Sequence, residues 1–164
     1  MKKLYVIRHA KSSWADISLS DFERPLKKRG KKDAPLIGKI LNEEEEKPDL
    51  ILSSSANRAI STAKKIAKEL KIDKEKIVKM NKLYAADLDD IIDILSELSN
   101  EINVVYIFGH NPELFYLVLF LCDRVIEKLP TCAVAAINLQ IEDWGKIRKN
   151  CGKLERFLTP KMLK

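Results

Sequence analysis

Leu4-Tyr5-Val6-Ile7-Arg8-His9 sets four apolar residues directly against an arginine and a histidine. A short β-favouring run cut off by charge reads as a buried parallel strand that delivers polar groups to its carboxyl edge. Val104-Val105-Tyr106-Ile107-Phe108, the most hydrophobic such run, repeats the arrangement and ends at Gly109-His110. Leu50–Ser53, following the break at Pro48, and Ile77–Met80 read as two further strands.

Helical patterns separate these runs. Pro25 and Leu26 are expected to open a helix running to about Asn42, with Ala34, Ile37, Ile40 and Leu41 inward. Ser54-Ser55 can cap a second helix, which carries Ala59, Ala63, Ile66, Ala67 and Leu70 at helical spacing. Asp89 or Asp90 begins a third, with Ile91, Ile92, Leu95 and Leu98 inward. Asn111 caps a fourth with Pro112 in its first turn, and Leu114–Leu121 is apolar nearly all round, as a buried helix is. Ala133–Ile141 and Leu154–Leu158 read as two more strands joined around Trp144-Gly145, while Lys11–Leu26 reads as an ordered loop.

This alternation predicts a three-layer α/β/α sandwich with a mostly parallel central sheet and right-handed crossovers, in one domain spanning residues 1–164. In such sheets ligands lie beyond the carboxyl ends of the strands. Arg8-His9, Asn57-Arg58 and Gly109-His110 fall at those ends or at the helix starts that follow them.

Composition narrows the chemistry. A chain of 164 residues can bury enough surface to need no structural metal or disulfide. The net charge of +6 suits an anionic ligand. Lys27, Lys28, Arg29, Lys31 and Lys32 are offset by Glu43 to Glu46, and no aromatic residues interleave with them, so a nucleic-acid surface is not expected. Cys122, Cys132 and Cys151 lack CxxC spacing and read as buried, reduced thiols in a cytoplasmic protein. The longest apolar run, Leu114 to Cys122, is nine residues, too short for a bilayer that needs about 20, so no membrane partner is expected.

The chain has only two histidines, and each directly follows a predicted buried strand. That pairing points to phosphoryl chemistry. A phosphate group carries close to two negative charges, so a nucleophile reaches it only when cations spread that charge. Arg8 and Arg58 suit the task as rigid bidentate forks, and His110 adds a donor if protonated. His9 acts as the nucleophile, provided its attacking nitrogen is neutral and its other nitrogen finds an acceptor such as a backbone carbonyl. Surrounding cations would depress the His9 pKa, and the scheme requires neither metal nor cofactor.

At this point the chain resembles the histidine phosphatase superfamily, also called phosphoglycerate-mutase-like. The resemblance runs through Leu4–Ala10, Ser53–Ala63 and Phe108–Glu113. Arg8-His9 is similar to the family's nucleophile motif, with Ala10 where glycine is usual; Arg58 matches its second phosphate-binding arginine and His110 its second histidine. Asp21-Phe22-Glu23-Arg24-Pro25-Leu26, Arg29-Gly30, Leu129–Ala135 and Leu158–Lys161 resemble the small SixA-type phosphohistidine phosphatases. The resemblance implies a phosphoglycerate-mutase-like fold and a metal-independent phosphatase working through a phosphohistidine intermediate, with a histidine-phosphorylated protein as substrate. It also makes Ser12 a candidate for phosphate binding, and Arg24, from its place in the preceding loop, is a second candidate at the rim. Asp21 and Glu23 read as residues that hold that loop together, and Asn57 as helix capping or first-turn structure.

One departure bears on the substrate. Ester-cleaving members carry a carboxylate near Leu83-Tyr84, where this chain has Tyr84-Ala85-Ala86, with Asp87 the nearest acid. An alkoxide leaving group needs a proton, whereas a phosphorylated imidazole leaves as neutral imidazole once its other nitrogen is protonated. The substitution favours a P–N substrate, although Asp87 or Tyr84 can still serve as the acid. A broad small-molecule phosphomonoesterase and a non-catalytic phospho-ligand binding domain are the alternatives.

Overall fold

The structure, a computed structural model, describes residues 1–123 and 126–164. Its elements in chain order are β1 (Lys2–Arg8), α1 (Lys28–Leu41), β2 (Leu50–Ser54), α2 (Asn57–Glu69), β3 (Ile77–Met80), α3 (Leu88–Ser96), β4 (Val104–Gly109), α4 (Glu113–Leu121), β5 (Val134–Leu139) and β6 (Gly152–Leu158). They form one six-stranded sheet in the order β3-β2-β4-β1-β5-β6. The β3–β2, β2–β4 and β4–β1 pairs are parallel, and β1–β5 and β5–β6 are antiparallel. The mixed α/β fold with a mostly parallel sheet is therefore as expected.

Alternation along the central strands builds two cores. Tyr5 and Ile7 of β1, with Tyr106 and Phe108 of β4, pack against α1 and α2. Leu4 and Val6, with Val105 and Ile107, face α3 and α4 on the other side. Burying each of these large apolar side chains is worth roughly 1.5–3 kcal/mol, so the two central strands are anchored on both faces. Their ends are correspondingly rigid.

Four helix starts differ from the sequence expectation. α1 opens at Lys28 rather than at Pro25, because Leu26 pairs with Ser12 in a β-bridge and the Lys27 N–H donates to the Lys11 carbonyl at 2.8 Å. At the start of α2 the Ser54 hydroxyl accepts from Ala56 N at 3.2 Å, but Ala56 itself holds the N-cap position. α3 begins earlier than Asp89: the Asp87 carboxylate accepts from Asp90 N (2.8 Å) and the Asp90 carboxylate from Asp87 N (3.1 Å), a reciprocal capping box. In α4 Pro112 holds the N-cap position, while the Asn111 amide turns away to donate to the Leu129 carbonyl at 2.9 Å.

α4 is also less enclosed than its composition implies. Leu114, Leu117, Val118 and Leu121 are buried, but Phe115, Leu119 and Phe120 are half-buried and Tyr116 is exposed. It lies beside α3 on one face of the sheet, and only its inner side is covered. All three cysteines are buried free thiols, as expected. Among the described residues no helix is long and apolar enough to cross a membrane.

Candidate active site

β1 and β4 are neighbours in register, with Arg8 opposite Gly109. The residues that follow them are therefore delivered together, and the His9 and His110 rings lie 5.3 Å apart between centroids. The His9 N–H continues the ladder by donating to the Gly109 carbonyl at 3.1 Å. On the other side, Cys132 adopts a left-handed backbone with φ of 60°. Its N–H meets both the Arg8 and His9 carbonyls, at 3.1 and 3.0 Å. A non-glycine residue there is uncommon, and the shared contact explains its retention in that conformation.

His9 is 7% exposed. Its Nδ1 lies 2.8 Å from the Ala10 carbonyl oxygen. A carbonyl can only accept, so the proton resides on Nδ1 and the Nε2 lone pair is left for attack. Burial lowers the His9 pKa to about 3; the Ala10 contact opposes this, and the charges of His110, Arg58 and Arg8 add to it. The expected depression by cations is present, but burial is the larger cause. The ring is neutral at physiological pH.

The surrounding backbone is pinned from α2. Ala10 N donates to the Thr62 hydroxyl at 2.9 Å, and that hydroxyl donates to the Arg58 carbonyl at 2.8 Å. Arg58 lies in the first turn of α2 and is buried. Arg8 donates through Nη1 to the Leu129 carbonyl at 3.1 Å. The Nε atoms of Arg8 and Arg58 and the Nδ1 of His110 are buried without a hydrogen-bond partner among the described residues. Such groups are costly unless an anion takes them.

His110 Nε2 is engaged with the Ser54 hydroxyl at 2.8 Å. Burial first, and then Arg58, push its pKa down to about 4. The ring is therefore neutral with one N–H at physiological pH, and the additional donor that protonation would supply is not present in this state. An incoming phosphoryl group would shift this balance back toward the charged ring.

The loop before α1 contributes more than expected. Ser12 and Arg24 are both buried, with Arg24 Nη1 donating to Ser12 Oγ at 2.9 Å. The exposed Trp14 ring stacks on the Arg24 guanidinium, 3.5 Å from centroid to Cζ. Gly30 lets α1 lie close to the Lys11 backbone of this loop, since a Cβ there would fall 2.3 Å from the Lys11 carbonyl oxygen. Asn57 opens α2 and its amide donates to the Glu23 carbonyl at 3.0 Å, tying the loop down.

Asp21 is the residue sequence reading undervalued. Its carboxylate accepts from Arg58 Nη2 at 3.0 Å, Arg24 Nε at 3.2 Å and the Tyr84 hydroxyl at 2.7 Å. Its carbonyl accepts from Arg58 Nη1 at 2.6 Å. The Tyr84 hydrogen bond, followed by Arg58 and Arg24, holds the Asp21 pKa down at about 2 against the opposing effect of burial. Tyr84 also packs edge-on against His110, with centroids 5.7 Å apart. Asp87, by contrast, is committed to the α3 capping box. Thr62 and Ser54 were missed as well; the signal was that each lies inside a motif already quoted, one turn from Arg58 or one residue past a strand run.

Residues 4–95 match the histidine phosphatase superfamily (branch 1). An uncharacterized chloroplastic protein of Arabidopsis thaliana is 31% identical over 171 residues, covering 97% of this chain and 78% of its own. The chain belongs to the histidine phosphatase superfamily. A proposed phosphohistidine phosphatase, SixA, from Agrobacterium tumefaciens superposes with a TM-score of 0.81 at 26% identity, covering 97% of this chain and 98% of its own. The protein histidine phosphatase SixA complexed with tungstate gives 0.83 at 24% identity, covering 99% of both chains, a likeness of fold. The protein is thus a histidine phosphatase superfamily hydrolase with a SixA-like, phosphoglycerate-mutase-like architecture.

Proposed function

We propose that this protein removes phosphoryl groups from histidine side chains of a partner protein, through a phosphoryl intermediate on His9 and without a metal ion. The observation that carries the mechanism is the Ala10 carbonyl on His9 Nδ1. It leaves a neutral Nε2 to attack phosphorus, forming one N–P bond as the substrate's P–N bond breaks and its electron pair returns to the leaving imidazole. Arg8, Arg58 and His110 surround the nucleophile and are suited to hold the non-bridging oxygens, with Ser12 and Arg24 extending the anion site toward its rim. Water then attacks phosphorus, His9 leaves, and phosphate and a proton are released.

The leaving group follows from proton supply. Asp21 is held ionised and so offers no proton at neutral pH, and the Asp87 carboxylate is engaged in the α3 capping box. Tyr84, its phenol pKa raised chiefly by the hydrogen bond to Asp21, is a poor donor to an alkoxide. A phosphoimidazole leaves as a neutral ring and demands less. Exposed Trp14, Ile17 and Phe22 on the loop beside the nucleophile support a macromolecular substrate, since large apolar side chains on a rim favour protein contact. The same reading places the protein in the cytoplasm, in a single catalytic domain.

A histidine-phosphorylated protein and p-nitrophenyl phosphate, each with EDTA present, test this reading. Fast P–N cleavage and slow ester cleavage, both abolished by His9→Ala, are expected. Turnover that requires metal or survives in the variant overturns the mechanism; preferential ester cleavage leads instead to the small-molecule phosphatase.

A further inference from the structure

Asp21 presents a problem for the phosphoryl clamp: the cations meant for substrate already hold an anion. Arg58 offers Nη2 and Arg24 offers Nε to one carboxylate, at 3.0 and 3.2 Å. The Tyr84 hydroxyl adds a third donor at 2.7 Å. This carboxylate is not an obligatory structural ion pair, because its side chain is 46% exposed and water could solvate it. Nor is it adventitious in placement, since the short helical turn that bears it, Asp21–Glu23, has its own Ser20/Glu23 capping box and is bonded to α2 through Asn57.

We propose that Asp21 is an internal counter-anion, which occupies the arginine donors in the free enzyme and competes with the phosphoryl group for them. This rests on the reading of Arg58 and Arg24 as phosphate ligands and deepens it by assigning a residue that sets how tightly anions are held. The consequence is selective. Binding of substrate, intermediate and product phosphate is weakened by a nearby like charge, and the product most visibly, because free phosphate has no other contacts to hold it. A site lined by several buried cationic donors would otherwise retain phosphate after turnover. Asp21 also keeps the two guanidinium groups, which repel each other, in place while the site is empty. It is a positioning residue whose charge opposes the ligand.

The two roles predict opposite signs, and inorganic phosphate titrated calorimetrically into the whole protein separates them. Asp21→Asn keeps an oxygen acceptor for Arg58 and Tyr84 but removes the charge. Its phosphate affinity is expected to rise about tenfold, with product inhibition of turnover strengthened in parallel. Asp21→Ala, which removes the acceptor too, is expected to shift the same way by less. Thermal unfolding of each variant establishes that it is folded. Weaker phosphate binding in a folded Asp21→Asn protein would overturn the proposal while leaving the clamp intact. Phosphate binding that is absent in the wild type, or indifferent to Arg58→Ala, would overturn the clamp reading itself and this proposal with it.

Discussion

The two halves of the site are built by opposite means. His9 and His110 stand at the ends of β1 and β4, the first buried and the second half-buried, and their pKa values fall to about 3 and about 4 chiefly because water is excluded. Asp21, Arg24 and Trp14 stand on a loop, and there the pKa of Asp21 falls because donors surround it. One half is tuned by desolvation and the other by pairing. Desolvation demands rigid surroundings, which the doubly covered central strands supply; pairing tolerates a loop, because donors and acceptors move together. The nucleophile belongs to the first half, while the second adjusts how tightly the anion is held.

The largest test of this contrast is His9→Ala, which should reduce kcat by on the order of 10⁴-fold or more, as loss of a covalent nucleophile does. Single-turnover experiments on the wild type should trap an acid-labile phosphoryl group that the variant lacks. Arg58→Ala comes next, since Arg58 belongs to both halves: a fall of about 10²–10³-fold in kcat/KM, through both kcat and KM, is expected from steady-state kinetics. Arg24→Ala lies within the loop half alone and should raise KM by about tenfold with kcat little changed. A loss confined to kcat would show that the loop shares in the chemistry and would erase the distinction.

The smallest effect is one of stability. Both histidines have folded pKa values below the unfolded value of about 6.5, so between about pH 4 and 6.5 the unfolded chain binds more protons than the folded one. Stability therefore rises with pH across that window and is lost as pH falls through it. The melting temperature should drop between pH 7 and 5, and the drop should be smaller in His110→Asn. A variant of Trp14, which packs at the rim, should leave this pH dependence unchanged.

Much of the central scaffold was legible in local pattern. Leu4–Ile7 and Val104–Phe108 are continuous apolar runs because their strands are buried on both faces, and polar residues directly behind such runs have one place to go. Hence Arg8, His9, Arg58 and His110 could be named and placed together. Helix starts were less legible. Pro25-Leu26 has the chemistry of a helix opening, yet the pairing of Leu26 with Ser12 outweighs it, and Asn111 gives its amide to the distant Leu129 carbonyl instead of capping.

Residue order along the chain already carried the alternation of strands and helices and the placing of His9 and His110 at two strand ends. Those properties follow from near-neighbour hydrophobic order, which any single segment displays. Tertiary structure alone decided that Asp21 meets Arg58, 37 residues away, and Tyr84, 63 away. It also decided the burial that makes His9 neutral and the carbonyl that orients its proton. These depend on which segments end up beside one another and how much water they exclude, quantities that belong to the packed chain and to no stretch of it.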